Sequence, residues 1–531
     1  MRGYRAPLKK LLTFTVLGVW WVWGLIPLLA QGGAAGEPMP PDRPFNLINL
    51  RNFRIDFTVP SARALAMGGA GIGLSDDPSS MTLNPAGVRV ISRPAIASST
   101  RLSGFTIREP LFEKEFFANT EKEPFSEPVK DLFLDQTLLA ASIPWDRVRL
   151  LAFRETVLDK RFNLTARLPF RVQAVDTTGL TAQNGEATLK QWALTHLGQN
   201  FSSRKTQLQI QIIDNSLGIT LSLSSRFGLG IAGRLTQLTF HLTERQYFPT
   251  SVTFPVAPSQ NTEAQYELES ENLYRVQTID EKRWDLSWTL GFQARLDRRL
   301  LVGAVVNLRP TFRLNALDTF TQFRFAGSVE GAGESTHLDF ERREIEVKNL
   351  RLNIPDSYGI GLLYRSNRRI KITADVLYIR YSELLKALDA VEKKAPLNLI
   401  QDDDLELLEN GNIRRTDPDN SRDVGLSDKL EVHAGVEYLW KFRRNRVELP
   451  MLLRGGYYFE PGHIIHAVTD RGQDEVGTVI TASYPRARDR HHLTLGIGYP
   501  WSRALRFDLA LDLTVSPAEA AVLVISSYYQ F

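Results

Sequence analysis

Apolar and polar residues alternate with a period of two along many stretches of the chain, most clearly near the C-terminus. In 503–513, leucine or phenylalanine occupies every second position from Leu505, and Asp508 and Asp512 lie among the residues between them. The same alternation recurs in 284–296, 429–440 and 492–499. A strand needs this pattern when one face meets lipid and the other meets a lumen. The pattern therefore predicts an all-β protein, a transmembrane antiparallel β-barrel.

The connections between these stretches alternate between short and long, which is typical of periplasmic turns and external loops. Pairing the strands through them predicts about fourteen strands, with both ends of the chain on the periplasmic side. The long connections are predicted at 108–133, 159–213, 241–282, 314–336, 383–427 and 461–487. The strands are predicted to begin near residues 95, 134, 147, 214, 227, 283, 299, 339, 369, 428, 449, 488, 503 and 519.

Aromatic residues distinguish the predicted barrel from a soluble β-sandwich, whose strands would also alternate between apolar and polar residues. Tryptophan and tyrosine cluster at predicted strand ends, where an aromatic girdle would lie. The residues concerned are Trp284, Tyr438, Trp440, Tyr499 and Trp501.

The N-terminus has the order of features of a secretory signal peptide. Basic residues lie within 2–10, an apolar run covers 11–29, and small residues follow Ala30. The alternative is an uncleaved anchor helix, because the run is long enough to span a bilayer. We expect a signal peptide at 1–30, an N-terminal extension at 31–54, a plug segment at 55–94 and the barrel at 95–531, in the outer membrane of a Gram-negative cell.

Composition excludes several classes of site. The chain has no cysteine, which excludes disulfides, thiolate metal sites and cysteine nucleophiles. Its net charge of +4 is too small to indicate a nucleic-acid partner. Neither a G-x-S-x-G nor an H-E-x-x-H motif is present. We expect no cofactor and no enzymatic activity.

Weaker chemical alternatives stay open at this stage. His433 and His492 lie on predicted lumen faces near serine and threonine, which leaves a barrel-wall hydrolase as a minor alternative. A metal could bind His463 and His466, or the acidic run 402–406, but solvated loops are the favoured interpretation because a third donor or an EF-hand spacing is missing.

Residues 61–88 lack strand alternation and are rich in glycine, alanine, serine and proline. Such a compact segment before the first strand could fold inside the lumen and plug it. Asp76-Asp77-Pro78-Ser79 indicates a turn or a helix start. The glycines of 69–73 lack the strand, the helix and the spacing of a dinucleotide fingerprint.

This segment resembles the N-terminal hatch of the FadL/TodX family, outer-membrane transporters of long-chain fatty acids and aromatic hydrocarbons. The matching motifs are Ser61-Ala62-Arg63-Ala64, Met67-Gly68-Gly69-Ala70, Asp76-Asp77-Pro78-Ser79 and Asn84-Pro85-Ala86-Gly87. Later segments are also similar, namely 354–361, 374–376 and 453–457.

The resemblance implies a fourteen-stranded barrel plugged by the hatch. It also implies capture of an apolar ligand outside the cell and lateral release through a wall gap made by a strand kink. The hatch role is carried over to Gly68, Gly69, Asp76, Asp77, Pro78, Asn84, Pro85 and Ala86. The external loops are long and charged, and no ligand-contact residue is carried over.

The last predicted strand ends in Tyr528-Tyr529-Gln530-Phe531. Tyr529 and Phe531 resemble the C-terminal assembly signal of bacterial outer-membrane barrels, which implies the barrel assembly machinery as a partner. Apolar lumen surface is predicted at Ala520, Val522 and Val524, and at Val302, Ala304 and Val306 or their neighbours. Charged lumen residues are expected to hold the hatch: Arg506, Asp508, Asp512, Asp285 and Arg295.

Two functions remain. The first is passive uptake of hydrophobic compounds through a plugged barrel with lateral release, with outer-membrane lipid and lipopolysaccharide as surroundings. The second is a PorV-like scaffold for protein secretion or surface attachment, which long external loops such as 383–427 would suit.

Overall fold

The protein is described by a computed structural model covering residues 55, 57–74, 77–107, 129–169, 201–247, 251–257, 262–267, 273–326, 337–387, 405–407, 413–415, 424–444, 447–467, 488–516 and 520–531. The predicted signal peptide and extension, Asp76 and the acidic residues 402–404 lie outside these ranges. Among the described residues, no helix is long and apolar enough to cross a membrane.

The helices are few and short: α1 (Ala62–Ala66), α2 (Ser80–Leu83), a 3-10 helix (Pro85–Val90) and α3 (Ser382–Ala387). The strands of the first half are β1 (Ala95–Ile107), β2 (Val129–Trp145), β3 (Val148–Pro169), β4 (Phe201–Ser222), β5 (Phe227–Tyr247), β6 (Ser251–Ala257), β7 (Thr262–Glu267), β8 (Leu273–Arg295), β9 (Leu300–Leu308), β10 (Thr311–Ala326) and β11 (His337–Asn353).

The strands of the second half are β12 (Ser357–Arg365), β13 (Ile370–Ile379), β14 (Leu405–Leu407), β15 (Ile413–Arg415), β16 (Val424–Gly425), β17 (Lys429–Arg444), β18 (Val447–Glu460), β19 (His466–Ala467), β20 (Arg490–Pro500), β21 (Leu505–Ser516) and β22 (Ala520–Gln530).

Fourteen antiparallel strands close into a ring, which confirms the predicted barrel and its strand number. Their order is β1, β2, β3, β4, β5, β8, β9, β12, β13, β17, β18, β20, β21 and β22, and β22 pairs with β1. The hairpin of β10 and β11 extends the wall above β9 and β12, and β10 pairs briefly with β8. We call the two rims of the ring the short-turn end and the long-loop end.

The outward face carries the lipid-compatible side chains. Along β8 the residues Trp284, Leu286, Trp288, Leu290 and Phe292 are exposed, whereas Ser287, Thr289 and Gln293 are buried. Large aromatic side chains, Trp145 and Trp501, are about 70% exposed at the short-turn end. This alternation agrees with the sequence pattern, because the band of lipid sets one face apolar and the lumen sets the other.

Several strands extend beyond the predicted starts at the long-loop end. β4 begins at Phe201 rather than near 214, and β8 begins at Leu273 rather than near 283. In these extensions the outward face is polar, as at Gln207 and Gln209. The apolar alternation that marks a membrane strand therefore stops where the wall leaves the lipid, although its backbone pairing continues.

The predicted seventh and eighth strands are each interrupted in the structure. β9 and β10 are separated by Arg309 and Pro310, because proline has no N–H for the ladder. β11 and β12 are separated by 354–356. On β9, Val302, Ala304 and Val306 face outward and their neighbours Leu301 and Val305 are buried, so the second of the two predicted lumen faces is correct.

Candidate functional site

Residues 55–94, for which the sequence predicts a hatch and which we call the hatch segment, contain a capped single-turn helix. The Ser61 hydroxyl accepts a hydrogen bond from Ala64 N–H at 3.2 Å at the start of α1. The helix ends in two left-handed residues, Gly68 at φ 67° and Gly69 at φ 76°. Glycine adopts this conformation without the steric cost of a Cβ. The Gly-Gly pair therefore turns the chain sharply within the lumen.

Asp77 and Asn84 form the next two turns of the hatch segment. Asp77 Oδ1 accepts hydrogen bonds from Ser79 N–H and Ser79 Oγ at 2.9 and 2.8 Å, immediately before α2. Asn84 Oδ1 accepts from Ala86 N–H at 3.0 Å and caps the 3-10 helix, which begins with Pro85. Short polar side chains stabilise such turns by binding their own backbone. The turn predicted from Asp76-Asp77-Pro78-Ser79 is present in its described part.

Lumen-facing glycines of the wall bring the hatch segment close to the strands. A Cβ on Gly456 would lie 2.1 Å from Gly68 N, and one on Gly435 would lie 2.3 Å from Met67 O. A Cβ on Gly291 would lie 2.2 Å from Asn84 Oδ1. Any larger residue would collide, so these strands need glycine where the hatch backbone crosses them.

Backbone and amide contacts fasten the same segment to the ring. Asn84 Nδ2 donates to Ile72 O at 2.9 Å and to Phe292 O at 3.1 Å. Asp375 Oδ2 accepts from Gly71 N–H at 2.6 Å and from Ile72 N–H at 2.8 Å. Buried backbone groups need such partners, since an unpaired group loses its hydration without compensation. Asn84 therefore joins two parts of the hatch segment to β8.

A buried ion-pair network joins the hatch segment to the wall around Asp77. Asp77 Oδ2 contacts Arg506, and Arg63 Nη1 lies 3.6 Å away. The network continues through the wall with Arg506 Nε 2.8 Å from Asp508, Arg454 Nη1 2.7 Å from Asp508 and Arg454 Nε 2.8 Å from Glu437. Arg63 Nε lies 3.2 Å from Glu437, so the hatch segment joins this network at a second point. Burial raises the pKa of Asp77, but Arg506, Arg63 and the hydrogen bonds from Ser79 together outweigh burial and hold the pKa below its ordinary value.

A second charged group lies on the other side of the lumen. Arg234, which is 1% exposed, lies 2.8 Å from Glu155 and 2.9 Å from Asp214. Arg309 Nη1 lies 2.7 Å from the same Asp214 oxygen. Arg234 Nη2 also donates to Thr82 O of the hatch segment at 3.3 Å. Pairing of this kind is what permits charges to be buried.

The charged lumen residues expected to hold the hatch are only partly those that the sequence indicated. Arg506 contacts Asp77 and is bound to Asp508. Asp512 instead accepts from Tyr458 Oη at 2.6 Å and lies 3.2 Å from His492. The prediction is wrong for Asp285, which is exposed and accepts from its neighbour Leu286 N–H. At this level β8 pairs with β5 but has no paired neighbour on the side of β9 and β10, and Asp285 is exposed.

The lumen histidines stack on a tyrosine rather than forming a catalytic relay. Tyr458 lies between His433 and His492, and its ring centroid is 5.3 Å from that of His433 and 4.0 Å from that of His492. His433 Nδ1 contacts Gly68 O at 2.7 Å. His492 Nδ1 faces both Asp512 at 3.2 Å and Thr514 Oγ1 at 3.4 Å. A triad needs the acid and the hydroxyl on different ring nitrogens, so this geometry does not activate Thr514.

The two loop histidines do not form a metal pair. His463 is buried, stacks on Tyr381 with centroids 4.1 Å apart and has its Nε2 3.1 Å from Ile55 O. His466 lies in β19. Within the described ranges, no group of three or more metal-ligating side chains comes together.

Toward the long-loop end the lumen is lined by a large apolar surface that the sequence analysis missed. We call it the apolar lumen cluster. Its core residues are Leu208, Ile210, Ile212, Leu238, Phe240, Leu242, Ile279, Phe312, Leu314, Leu350 and Leu352, with Val157 and Leu158 at one edge. A polar channel would not bury such a surface. The sequence does indicate this surface. In β5 the apolar residues lie at odd positions in 227–235 and at even positions in 238–242, which means that they change from the outward face to the lumen face.

A gap in the wall opens between β2 and β3. The two strands pair only from the turn up to Leu138 and Glu155, and above that point β3 pairs with β4 alone. Each strand has one extra residue at this level, Thr137 in β2 and Val157 in β3. Such β-bulges bend a strand and interrupt its ladder. The gap therefore begins where both strands kink.

The hatch segment crosses the lower end of this gap. Thr58 N–H donates to Val157 O at 3.0 Å, and Thr137 Oγ1 donates to Pro60 O at 2.9 Å. Both bulged residues therefore hold the hatch backbone. Leu132 and Leu134, on the lipid side of β2 beside the gap, are 66% and 72% exposed. No sequence motif indicated Thr137 or Val157, because a single extra residue leaves no compositional signal.

A fourteen-stranded transmembrane barrel with an N-terminal segment inside its ring and a kinked gap in its wall is thus defined. A FadL homologue from Pseudomonas aeruginosa aligns with a TM-score of 0.50 and 11% identity over 90% of this chain and 99% of that one. This likeness shows that the chain has the FadL/TodX fold.

Other solved structures align with this chain at lower TM-scores. The Pseudomonas putida toluene transporter TodX has a TM-score of 0.47 and 14% identity, covering 90% of this chain and 99% of that one. The Ralstonia pickettii toluene transporter TbuX has a TM-score of 0.44 and 13% identity, covering 90% of this chain and 100% of that one. No protein-family model and no curated protein sequence matches this chain.

Proposed function

We propose that the protein is an outer-membrane transporter that takes up hydrophobic compounds, long-chain fatty acids or aromatic hydrocarbons, by passive diffusion. The observation that carries the proposal is the place of the apolar lumen cluster. Val157 and Leu158 belong to it and also lie at the β2–β3 gap. An apolar solute would keep its surface out of water along the whole path from the cluster to the lipid.

The hatch segment closes the direct path to the short-turn end in this proposal. Its ion pairs with Arg506 and Glu437 and its contacts with the wall glycines favour a fixed plug over a mobile one. A solute would leave sideways through the β2–β3 gap into the membrane.

Uptake in a deletion strain tests the proposal. Entry of labelled oleate and labelled toluene is measured in the deletion strain with the gene restored or with an empty vector. We expect restoration to raise the uptake of at least one compound. Unchanged uptake of both, together with loss of a surface protein in the deletion strain, would contradict transport and favour the PorV-like scaffold.

A lumen variant tests the role of the apolar lumen cluster within that assay. Phe240 is 2% exposed and faces the lumen, whereas its neighbour Thr239 faces outward on the same strand. We expect Phe240→Gln to reduce uptake about tenfold, because burying an amide in place of a phenyl ring costs at least 1 kcal/mol along the path. Thr239→Gln is the matched control. Equal uptake by the two variants would contradict an apolar path.

The plug is tested by conductance. Replacing Asn84-Pro85-Ala86 with three serines removes the contact of Asn84 Nδ2 with Phe292 O and the start of the 3-10 helix. We expect single-channel conductance in a planar bilayer to rise, since water and ions would follow the opened lumen. Conductance and uptake both equal to wild type would count against a hatch role.

A further inference from the structure

The wall has a second interruption, between β8 and the β9–β10 pair of strands. β8 pairs with β9 from Trp288 to Arg295 and with β10 from Arg275 to Thr278. Between these pairings, nine residues of β8, 279–287, face eight residues, 309–316, without a ladder. The interruption begins at the Arg309–Pro310 break. The two strands therefore separate and rejoin one residue out of register.

A phase change on the facing strand explains the separation. Asn307 faces inward on β9, Arg309 points inward to Asp214, and Pro310 is buried as well. Two consecutive residues on the lumen side are characteristic of a β-bulge, which bends the strand and breaks its ladder. From Phe312 onward, β10 presents its even positions to the lumen. The bend carries β10 toward the apolar lumen cluster and away from β8.

The burial of β8 changes at the same height as the missing ladder. The strand alternates between exposed and buried from Leu286 to Gln293, but all five residues of 282–286 are exposed. Arg283 and Asp285 belong to the lumen face and are nevertheless open to solvent. The lumen face of a closed barrel can be wet, so this exposure bears on the wall only because it coincides with the missing ladder. Water therefore reaches both faces of β8 here.

The height of the opening relative to the lipid band decides what could use it. Leu286 and Trp288 are large, apolar and exposed below it, whereas Asp280 and Lys282 are charged above it. Trp284 lies between the two groups, where an interfacial aromatic would lie. Unpaired backbone groups are costly in hydrocarbon but tolerated at a hydrated boundary. The opening therefore straddles the edge of the lipid band at the long-loop end.

A polar side chain bridges the opening, and apolar residues lie behind it. Glu281 Oε1 accepts from Asn315 N–H at 3.1 Å and from Arg283 Nη2 at 3.0 Å. Ile279, Phe312 and Leu314, all at most 2% exposed, belong to the apolar lumen cluster. That cluster reaches Val157 at the β2–β3 gap across the inner faces of β4 and β5. One apolar surface thus connects both interruptions of the wall.

We propose that the opening between β8 and β10 is a second lateral passage, through which apolar molecules dissolved in the outer leaflet reach the apolar lumen cluster. The inference rests on the proposed function and on the orientation with the long loops outside. A molecule already in the leaflet would enter from the side and leave through the β2–β3 gap. It would not need to cross the long external loops.

A disulfide across the opening tests the passage, because the chain has no cysteine of its own. Asp280 and Asn315 lie two residues beyond the last paired residues, Thr278 and Leu317, on the outward face. We expect the oxidised Asp280→Cys/Asn315→Cys protein to take up labelled toluene at about half the wild-type rate or less, since the bridge holds the two Cα atoms within about 7 Å. Reduction should restore uptake.

The matched control is Thr243→Cys/Thr278→Cys, which joins residues already paired across β5 and β8. Its uptake should be the same whether oxidised or reduced. Full uptake by the oxidised, folded Asp280→Cys/Asn315→Cys protein would overturn the passage and leave the proposed function standing. Wild-type uptake equal to the empty vector would instead overturn the proposed function.

A single-cysteine pair decides the matter if the stapled protein does not fold. Asp285→Cys lies on the lumen face within the exposed run, and the control Gln207→Cys lies on the outward face of β4, away from the opening. A bulky membrane-impermeant maleimide should modify both. We expect uptake to fall only in the modified Asp285→Cys protein. Failure of the reagent to modify Asp285→Cys, or unchanged uptake after modification, would overturn the passage.

Discussion

Asp77 joins the hatch segment to the barrel because its two carboxylate oxygens have different partners. Oδ1 holds the turn through Ser79, and Oδ2 meets Arg506 and Arg63. The side chain is almost fully buried, so the ion pairs are not screened by water. A sequence motif indicated Asp77. The two arginines beside it, Arg63 of α1 and Arg506 of β21, are brought together only by the fold.

Asp77→Asn should loosen the hatch segment. The change leaves Arg506 with one buried partner fewer, and breaking a buried pair from one side costs about 3 kcal/mol. We expect a lower guanidinium midpoint for the refolded barrel and a higher single-channel conductance. Asp280→Asn, at an exposed side chain, is the control and should change neither. A wild-type midpoint in Asp77→Asn would show that the pair does not hold the hatch.

The same contacts predict a pH dependence. Burial raises the pKa of Asp77, and the combined effect of Arg506, Arg63 and the hydrogen bonds from Ser79 leaves the pKa below its ordinary value. A carboxylate with a lowered folded pKa contributes stability above the ordinary pKa of about 4, and the contribution is lost as the pH falls through the lowered pKa. Conductance should therefore stay constant from neutral pH down to about 4 and rise below it. In Asp77→Asn this acid step should be smaller, and a step of wild-type size would assign it to another group.

Gly291→Ala should disturb the hatch through its fit rather than through charge. The new Cβ would lie 2.2 Å from Asn84 Oδ1, which is too close for contact. Overpacking of this kind costs about 1–3 kcal/mol. We expect raised conductance and a lower unfolding midpoint. Gly104→Ala is the matched control, because its nearest neighbours would be 3.6 and 3.9 Å away; equal effects in the two variants would exclude a steric cause.

At the scale of elements, β4 and β5 show how one strand serves two environments. Leu217 and Ile219 face lipid at odd positions, whereas Ile210 and Ile212 face the lumen at even positions. β4 and β5 stay paired in register through this change. The position where the apolar residues change from odd to even numbers therefore marks the height at which the lipid band ends and the apolar lumen begins. The sequence contained this signal, and reading only the outward face missed it.

The last strand offers an element-scale prediction. Phe531 N–H donates to Pro94 O at 2.9 Å beside the first strand, and its ring meets Tyr529 edge-on with centroids 4.8 Å apart. Together they close the ring at the short-turn end. We propose the same residues as the assembly signal. Deleting Phe531 should reduce the assembled fraction in outer-membrane preparations, whereas Phe531→Tyr should retain it; full assembly after deletion would refute this role.

At the scale of the whole molecule, closure of the ring predicts resistance to detergent. Every barrel strand has neighbours, β22 pairs with β1, and no free sheet edge starts unfolding at that junction. Unheated samples in dodecyl sulfate should therefore migrate differently from boiled samples on a gel. Identical migration at all temperatures would mean that the ring is not closed. The same assay shows whether each variant above has folded.

The sequence by itself determined the barrel, its fourteen strands and the outward face of β8 and β21, because lipid imposes one physical requirement on every strand that crosses it. It also indicated the turn at Asp77, whose side chain binds its own backbone, and the resemblance to the FadL/TodX hatch singled out Asn84. These features are local in the chain.

Only the tertiary structure decided how distant groups meet. The partners of Asp77, the approach of Gly456 to Gly68 and the apolar lumen cluster all join strands far apart in sequence. The β2–β3 gap depends on one extra residue in each of the two strands. The opening between β8 and β10 depends on the change at Arg309–Pro310 from odd to even lumen-facing positions. A one-residue slip leaves composition unchanged but reverses which side chains face the lumen. Closure of the ring then makes those small shifts into openings.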